Sequence, residues 1–129
     1  MTVLVAYVPT PEGDAAYAAA VEEAGRRGER LLLLNTPREG APVSTAVADE
    51  DTVRDLVGRA AAAGVDVEVR QDAHAGDLSD EVVRVAGAVD ASVIVIGMRR
   101  RSPVGKLLMG STAQRILLDA DRPVLAVKP

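Results

Sequence analysis

Short runs of β-forming apolar residues alternate along this chain with stretches whose apolar residues recur at helical spacing, and that alternation admits few architectures. The apolar runs are Val3 to Val8, Leu31 to Leu34, Val65 to Arg70, Val93 to Ile96 and Val124 to Val127. Between them lie four helical patterns. The first begins at Thr10 as cap with Pro11 in its first turn and stops at Gly25 or Gly28. The second carries Val53, Leu56, Val57 and Ala60 and runs to Gly64. The third opens at Asp77 or Ser79 and carries Val82, Val85 and Ala86, and the fourth carries Ala113, Ile116, Leu117 and Ala120. Strand–helix–strand repetition requires right-handed crossovers and a parallel sheet covered by helices on both faces. Val65, Val67 and Val69 alternate with Asp66, Glu68 and Arg70, so the third strand has one wet face and belongs at an edge. The expected fold is a single doubly wound α/β domain over residues 1–129, Rossmann-like, with a five-stranded parallel sheet in the order 3-2-1-4-5.

Composition closes off several functions. Lys and Arg total 15 against 19 Asp and Glu, a formal net charge of −4, so no nucleic-acid partner is expected. The aromatic residues are Tyr7 and Tyr17 alone, which provide no stacking platform for bases of a single strand. With no cysteine, disulfides, thiolate catalysis and thiolate metal sites are absent. No apolar stretch is long enough to span a bilayer and Met1 leads directly into a strand pattern, so the expectation is a cytoplasmic protein with no membrane partner. Between the second strand and second helix, a loop from about Thr36 to Ala48 is longer than such connections usually are.

The segment from Gly97 to Ser111 links a buried strand to a helix N-terminus. Free N–H groups and the positive end of a helix dipole converge at such a junction, which suits it to an anion such as phosphate. The candidate ligand-binding residues are Gly97, Arg99, Arg100, Gly110, Ser111 and Thr112, with Val8 and Pro9 from the loop after the first strand, which meets the same crevice. Gly97 and Gly110 are read first as positions of backbone geometry. Ser111-Thr112-Ala113-Gln114 has the form of a capping box, and capping is the weightier of two readings for the Ser111 hydroxyl, the other being ligand contact. Arg99, Arg100 and Arg101, with Lys106, form either a solvated loop or a side-chain phosphate grip; both readings stand open.

The spacing of Gly97, Gly110 and Ser111 resembles the G-x2-G-x9-G-[ST] nucleotide-binding pattern of the universal stress protein family. Further likeness lies in Ala91 to Gly97, in Gly76-Asp77 ahead of the third helix, and in the closing Arg122-Pro123-Val124-Leu125-Ala126-Val127. The resemblance implies a small regulatory module that holds ATP or a related nucleotide at the switch point, and a homodimer joined through the fifth strand. Two departures bear on affinity. Arg100 stands where the pattern has its middle glycine, and Val8-Pro9-Thr10 replaces the Asp-Gly-Ser/Thr by which the family contacts the nucleotide. Weaker ATP binding is therefore expected, and the alternative function is a ligand-free dimeric protein-interaction module of the same fold.

Chemistry on a substrate finds no support in the residues, and no enzyme is expected. His74 is the sole histidine and is read as a surface loop residue. Asp14, Asp77 and Asp80 occupy helix starts, where negative charge is favourable by itself. No nucleophile elbow, Walker motif or metal-ligand cluster is present, so no metal is required. A phospho-receiver would need acidic residues after the first strand, where Val8-Pro9-Thr10 stands, and Asp72 alone does not supply its site. The fifth strand, Val124 to Val127, is apolar without alternation although it occupies an edge, so a partner subunit is expected to cover it.

Overall fold

The computed structural model describes residues 1–37, 47–99 and 110–129. Arg100, Arg101 and Lys106 and most of the loop from Thr36 to Ala48 lie outside the described residues. The elements run β1 (Thr2–Ala6), α1 (Pro11–Arg27), β2 (Arg30–Leu34), α2 (Glu50–Ala62), β3 (Val67–Arg70), α3 (Leu78–Ala88), β4 (Ala91–Gly97), α4 (Ser111–Asp119) and β5 (Val124–Val127). All pairings are parallel and the sheet order is β3-β2-β1-β4-β5. The chain builds leftward from β1 to β3 and then rightward from β4 to β5. Right-handed crossovers consequently place α1 and α2 on one face and α3 and α4 on the other.

Period-two alternation along the central strands divides the core in two. Val3, Val5, Leu31, Leu33, Val93 and Val95 pack with Ala16, Tyr17 and Ala20 of α1 and with Leu56 and Ala60 of α2. Leu4, Leu32, Leu34, Ile94 and Ile96 point the opposite way, onto Val82, Val85 and Ala86 of α3 and Ile116 of α4. With no phenylalanine or tryptophan, helices close on the sheet through alanines, and Ala16, Ala20 and Ala24 of α1 are fully buried. The two tyrosines supply the bulk on that side. Their rings meet edge to face at 6.1 Å. The Tyr17 hydroxyl donates to the Leu56 carbonyl at 2.6 Å and so ties α1 to α2.

Helix ends follow the expected chemistry in part. Thr10 Oγ1 accepts from the Gly13 N–H at 3.1 Å, Pro11 is the first residue of α1, and Gly28 ends the helix at φ 65°, a left-handed conformation that favours glycine. For α2 the cap is Asp49, which accepts from the Thr52 N–H at 2.8 Å. That hydrogen bond holds the Asp49 carboxyl below its usual range. At the edges, β3 leaves Glu68 in solvent, as its alternation requires, and β5 leaves Leu125 and Ala126 exposed.

Candidate functional site

The chain reverses direction across the sheet between β1 and β4, and the loops leaving these neighbours diverge to opposite faces. A crevice at their carboxyl ends is the result. A cleft of about 290 Å³ occupies it. Its apolar floor consists of Ala6, Leu34 and Ile96 from the strands, with Leu78, Ala113 and Ile116 from α3 and α4. Its rim carries Val8, Glu12, Asn35 and Thr36 on one side and Met98, Arg99, Gly110, Ser111 and Thr112 on the other.

Two glycines make the close approach possible. A Cβ on Gly97 would lie 2.3 Å from the Glu12 carbonyl oxygen, and one on Gly13 would lie 1.8 Å from the Val8 carbonyl oxygen. The first turn of α1 is thus pressed against the ends of both β1 and β4 with main chain on main chain. Gly97 is a position of backbone geometry, as expected. Gly110 does not show this: it has φ −61° and ψ 148°, and among the described residues a Cβ there would meet nothing within 4 Å.

The start of α4 also departs from the expectation. Gly110 is the N-cap and Ser111 the first helical residue, so the Ser111 hydroxyl does not serve the capping box, and no side chain among the described residues caps this helix. The first intrahelical bond runs from the Gln114 N–H to the Gly110 carbonyl. Among the described residues, the N–H groups of Ser111, Thr112 and Ala113 therefore have no protein acceptor, and all three residues line the cleft. A helix N-terminus in this state attracts an anion through free donors and dipole together. The exposed Arg99 side chain adds a cation at the same rim.

Of the residues selected from sequence, Val8, Gly97, Arg99, Gly110, Ser111 and Thr112 are brought together around one cleft. Pro9 lines a neighbouring groove with Asp14, Asp55 and Arg59. Arg100 is outside the described residues. Asp14 accepts a hydrogen bond from the Tyr7 hydroxyl at 2.9 Å. Burial, reinforced by Asp14, pushes that phenol well above its ordinary range.

Sequence reasoning missed the wall opposite α4. Asn35, at the end of β2, is buried; its Nδ2 donates to the Tyr7 carbonyl at 2.8 Å, while its Oδ1 accepts from the Ala48 N–H at 2.8 Å and from Gln71 Nε2 at 3.0 Å. One amide side chain thereby joins the exits of β1, β2 and β3. A polar residue just past the carboxyl end of an apolar central strand was the signal available. His74 corrects the surface reading. It is 6% exposed, with Nδ1 2.8 Å from Thr36 Oγ1 and its backbone N–H on the Pro37 carbonyl at 3.0 Å, because the chain leaving β3 folds back over the exit of β2.

The sequence model of the Universal stress protein family matches residues 1–128. The chain belongs to this family. A universal stress protein of Mycolicibacterium smegmatis is 42% identical over 127 residues, covering 98% of this chain and 97% of the relative. The solved universal stress protein from Archaeoglobus fulgidus superposes with a TM-score of 0.82 at 30% identity, over 98% of this chain and 97% of that one. At 24% identity and a TM-score of 0.73, a universal stress protein solved in complex with cAMP shares the fold over 99% of this chain and 96% of its own. A universal stress protein from Archaeoglobus fulgidus solved in complex with dAMP does so at 22% identity and a TM-score of 0.68, over 98% and 96%. This universal stress protein also contains, among its described residues, no helix long and apolar enough to cross a membrane. Nor do those residues include a group of three or more His, Cys, Asp and Glu arranged to hold a metal.

Proposed function

We propose that this universal stress protein is a cytoplasmic regulatory module, not an enzyme, that binds a nucleotide or another small phosphorylated ligand in the switch-point cleft. The observation that carries this reading is the start of α4, which no side chain among the described residues caps and whose first N–H groups open on an apolar-floored cleft beside Arg99. Support comes from the relatives solved with cAMP and with dAMP, which share the fold. Val8 offers the ligand no polar side chain, and Arg100 occupies the place of a glycine, so ATP is bound less tightly than an intact motif would allow. Thermal shift with AMP, ADP and ATP, with and without Mg²⁺, tests the reading, since a ligand held only by the native state raises the melting temperature. A rise with at least one nucleotide is expected, together with stronger ATP binding when Val8→Asp and Arg100→Gly are combined. No shift with any of them at millimolar concentration would overturn it.

A second reading, a dimeric protein-interaction module working without ligand, is favoured by a different observation. Leu118 is 75% exposed, and Leu125 on the open edge of β5 is 37% exposed. A second subunit pairing its own β5 about a two-fold axis would cover this edge, between the limits set by Pro123 and Pro129.

A further inference from the structure

The cleft holds two charged side chains of opposite sign among the described residues of its lining, Glu12 and Arg99, and they do not pair with each other. Neighbouring acids are already engaged. Asp14 accepts from Tyr7, Asp77 meets Arg115 at 3.3 Å, and Glu81 is bound by Arg84. Among the described residues Glu12 has no hydrogen-bond or ion-pair partner for its side chain. Its main chain is nevertheless fixed, because the Glu12 carbonyl sits over Gly97 where no side chain intervenes. Glu12 is therefore anchored through its main chain at the middle of the switch point, as a residue of the cleft lining, with Asn35 and Leu34 toward the β2 end and the α4 start toward the other.

A carboxylate accepts hydrogen bonds and donates none, and it repels an anion. Whatever part of a ligand lies against Glu12 must then present donors. The phosphate belongs at the opposite rim, by Arg99 and the free N–H groups of α4, and a flat apolar ring fits the floor near Leu34 and Leu78. In a nucleotide the group between ring and phosphate is the sugar, whose vicinal hydroxyls are the matching donors.

We infer that Glu12 is a specificity-determining residue of the cleft, accepting hydrogen bonds from the sugar hydroxyl pair and so selecting ribonucleotides over deoxyribonucleotides. This rests on the nucleotide reading above. It assigns to a residue on α1 a discrimination that Val8 cannot make. A carboxylate in the first turn of a helix also favours that helix electrostatically, but such a role would leave sugar preference untouched.

Calorimetric titration of the full chain with AMP and with 2′-deoxy-AMP, repeated on Glu12→Gln and Glu12→Ala, separates the possibilities. The unaltered chain is expected to bind AMP about tenfold more tightly than 2′-deoxy-AMP, the scale of one charge-assisted hydrogen bond. In Glu12→Ala the two ligands are expected to bind alike, with Glu12→Gln in between. An equal ratio in all three proteins would overturn the role of Glu12 and leave nucleotide binding intact. Failure of both ligands to bind the unaltered chain would overturn the nucleotide reading, and the role of Glu12 with it.

Discussion

Replacing Gly97 with alanine should open the cleft from beneath, and the cost can be judged from the contact it creates. The added Cβ would lie 2.3 Å from the Glu12 carbonyl oxygen and 2.6 Å from its carbon, where ordinary contact begins near 3.4 Å. Relief requires α1 and β4 to separate by about 1 Å, and both contacting atoms are main chain, so no rotamer change can absorb the clash. Overpacking of this kind costs about 1–3 kcal/mol, and a backbone obstacle puts Gly97→Ala at the upper end. Gly13→Ala is more severe, with its Cβ 1.8 Å from the Val8 carbonyl oxygen, and it also disturbs the N–H that Thr10 caps. Gly58→Ala and Gly87→Ala are internal controls: both residues are exposed within helices, nothing lies within 4 Å of the added carbon, and each should stabilise by about 0.5–1 kcal/mol. Urea unfolding followed by circular dichroism measures all four, with an unchanged slope required for the comparison. The reasoning would be refuted if Gly97→Ala unfolded within about 0.5 kcal/mol of the unaltered protein, the ordinary range of a surface substitution.

Other expectations follow from neighbouring features. Asn35→Ala removes the acceptor of the Ala48 N–H and the donor to the Tyr7 carbonyl, and should lower stability by about 1–3 kcal/mol in the same urea assay, whereas no loss would show the network to be incidental. Burial pushes the Tyr17 hydroxyl up to about 12 and Tyr7 also upward, against an unfolded value of about 10. A raised pKa contributes stability that is complete below the unfolded value and is lost as pH rises through the folded one, so tyrosinate absorbance should appear only together with alkaline unfolding. Ionisation of either tyrosine near pH 10 in a protein that keeps its helical signal would contradict that placement. Light scattering should report a dimer for the unaltered chain and a monomer, or loss of solubility, for Leu125→Lys; a monomeric unaltered chain at high micromolar concentration would remove the β5 interface.

The architecture was legible because its signals are local. Alternation of apolar runs and helical periods gave the element order, and the wet face of β3 gave the edge from which the strand order follows. The α4 side of the cleft was legible for a similar reason, since Gly97 and the α4 start lie within one contiguous segment. Asn35, Gly13 and Glu12 were not, because their roles depend on what stands opposite them. Asn35 matters through the Tyr7 carbonyl, 28 residues away in sequence, and Gly13 through the bare carbonyl of Val8. Ser111 shows the reverse error: the capping pattern was present, but the helix began one residue earlier than the pattern needs.

Because Gly13 and Gly97 let main chain rest on main chain beneath the cleft, its support is built from atoms every residue shares, while the side chains that differ between proteins, Val8, Glu12 and Arg99 here, belong to the lining around it. Changes at the opening can alter what is recognised without disturbing the support beneath, and changes at the two glycines do the opposite. If the proposed ligand is held there, a scaffold divided in this way is open to drift in preference from one small ligand to another by single exchanges that leave folding intact. It is also a practical starting point for a sensor, in which a library confined to the rim would explore ligand choice at little risk to the fold.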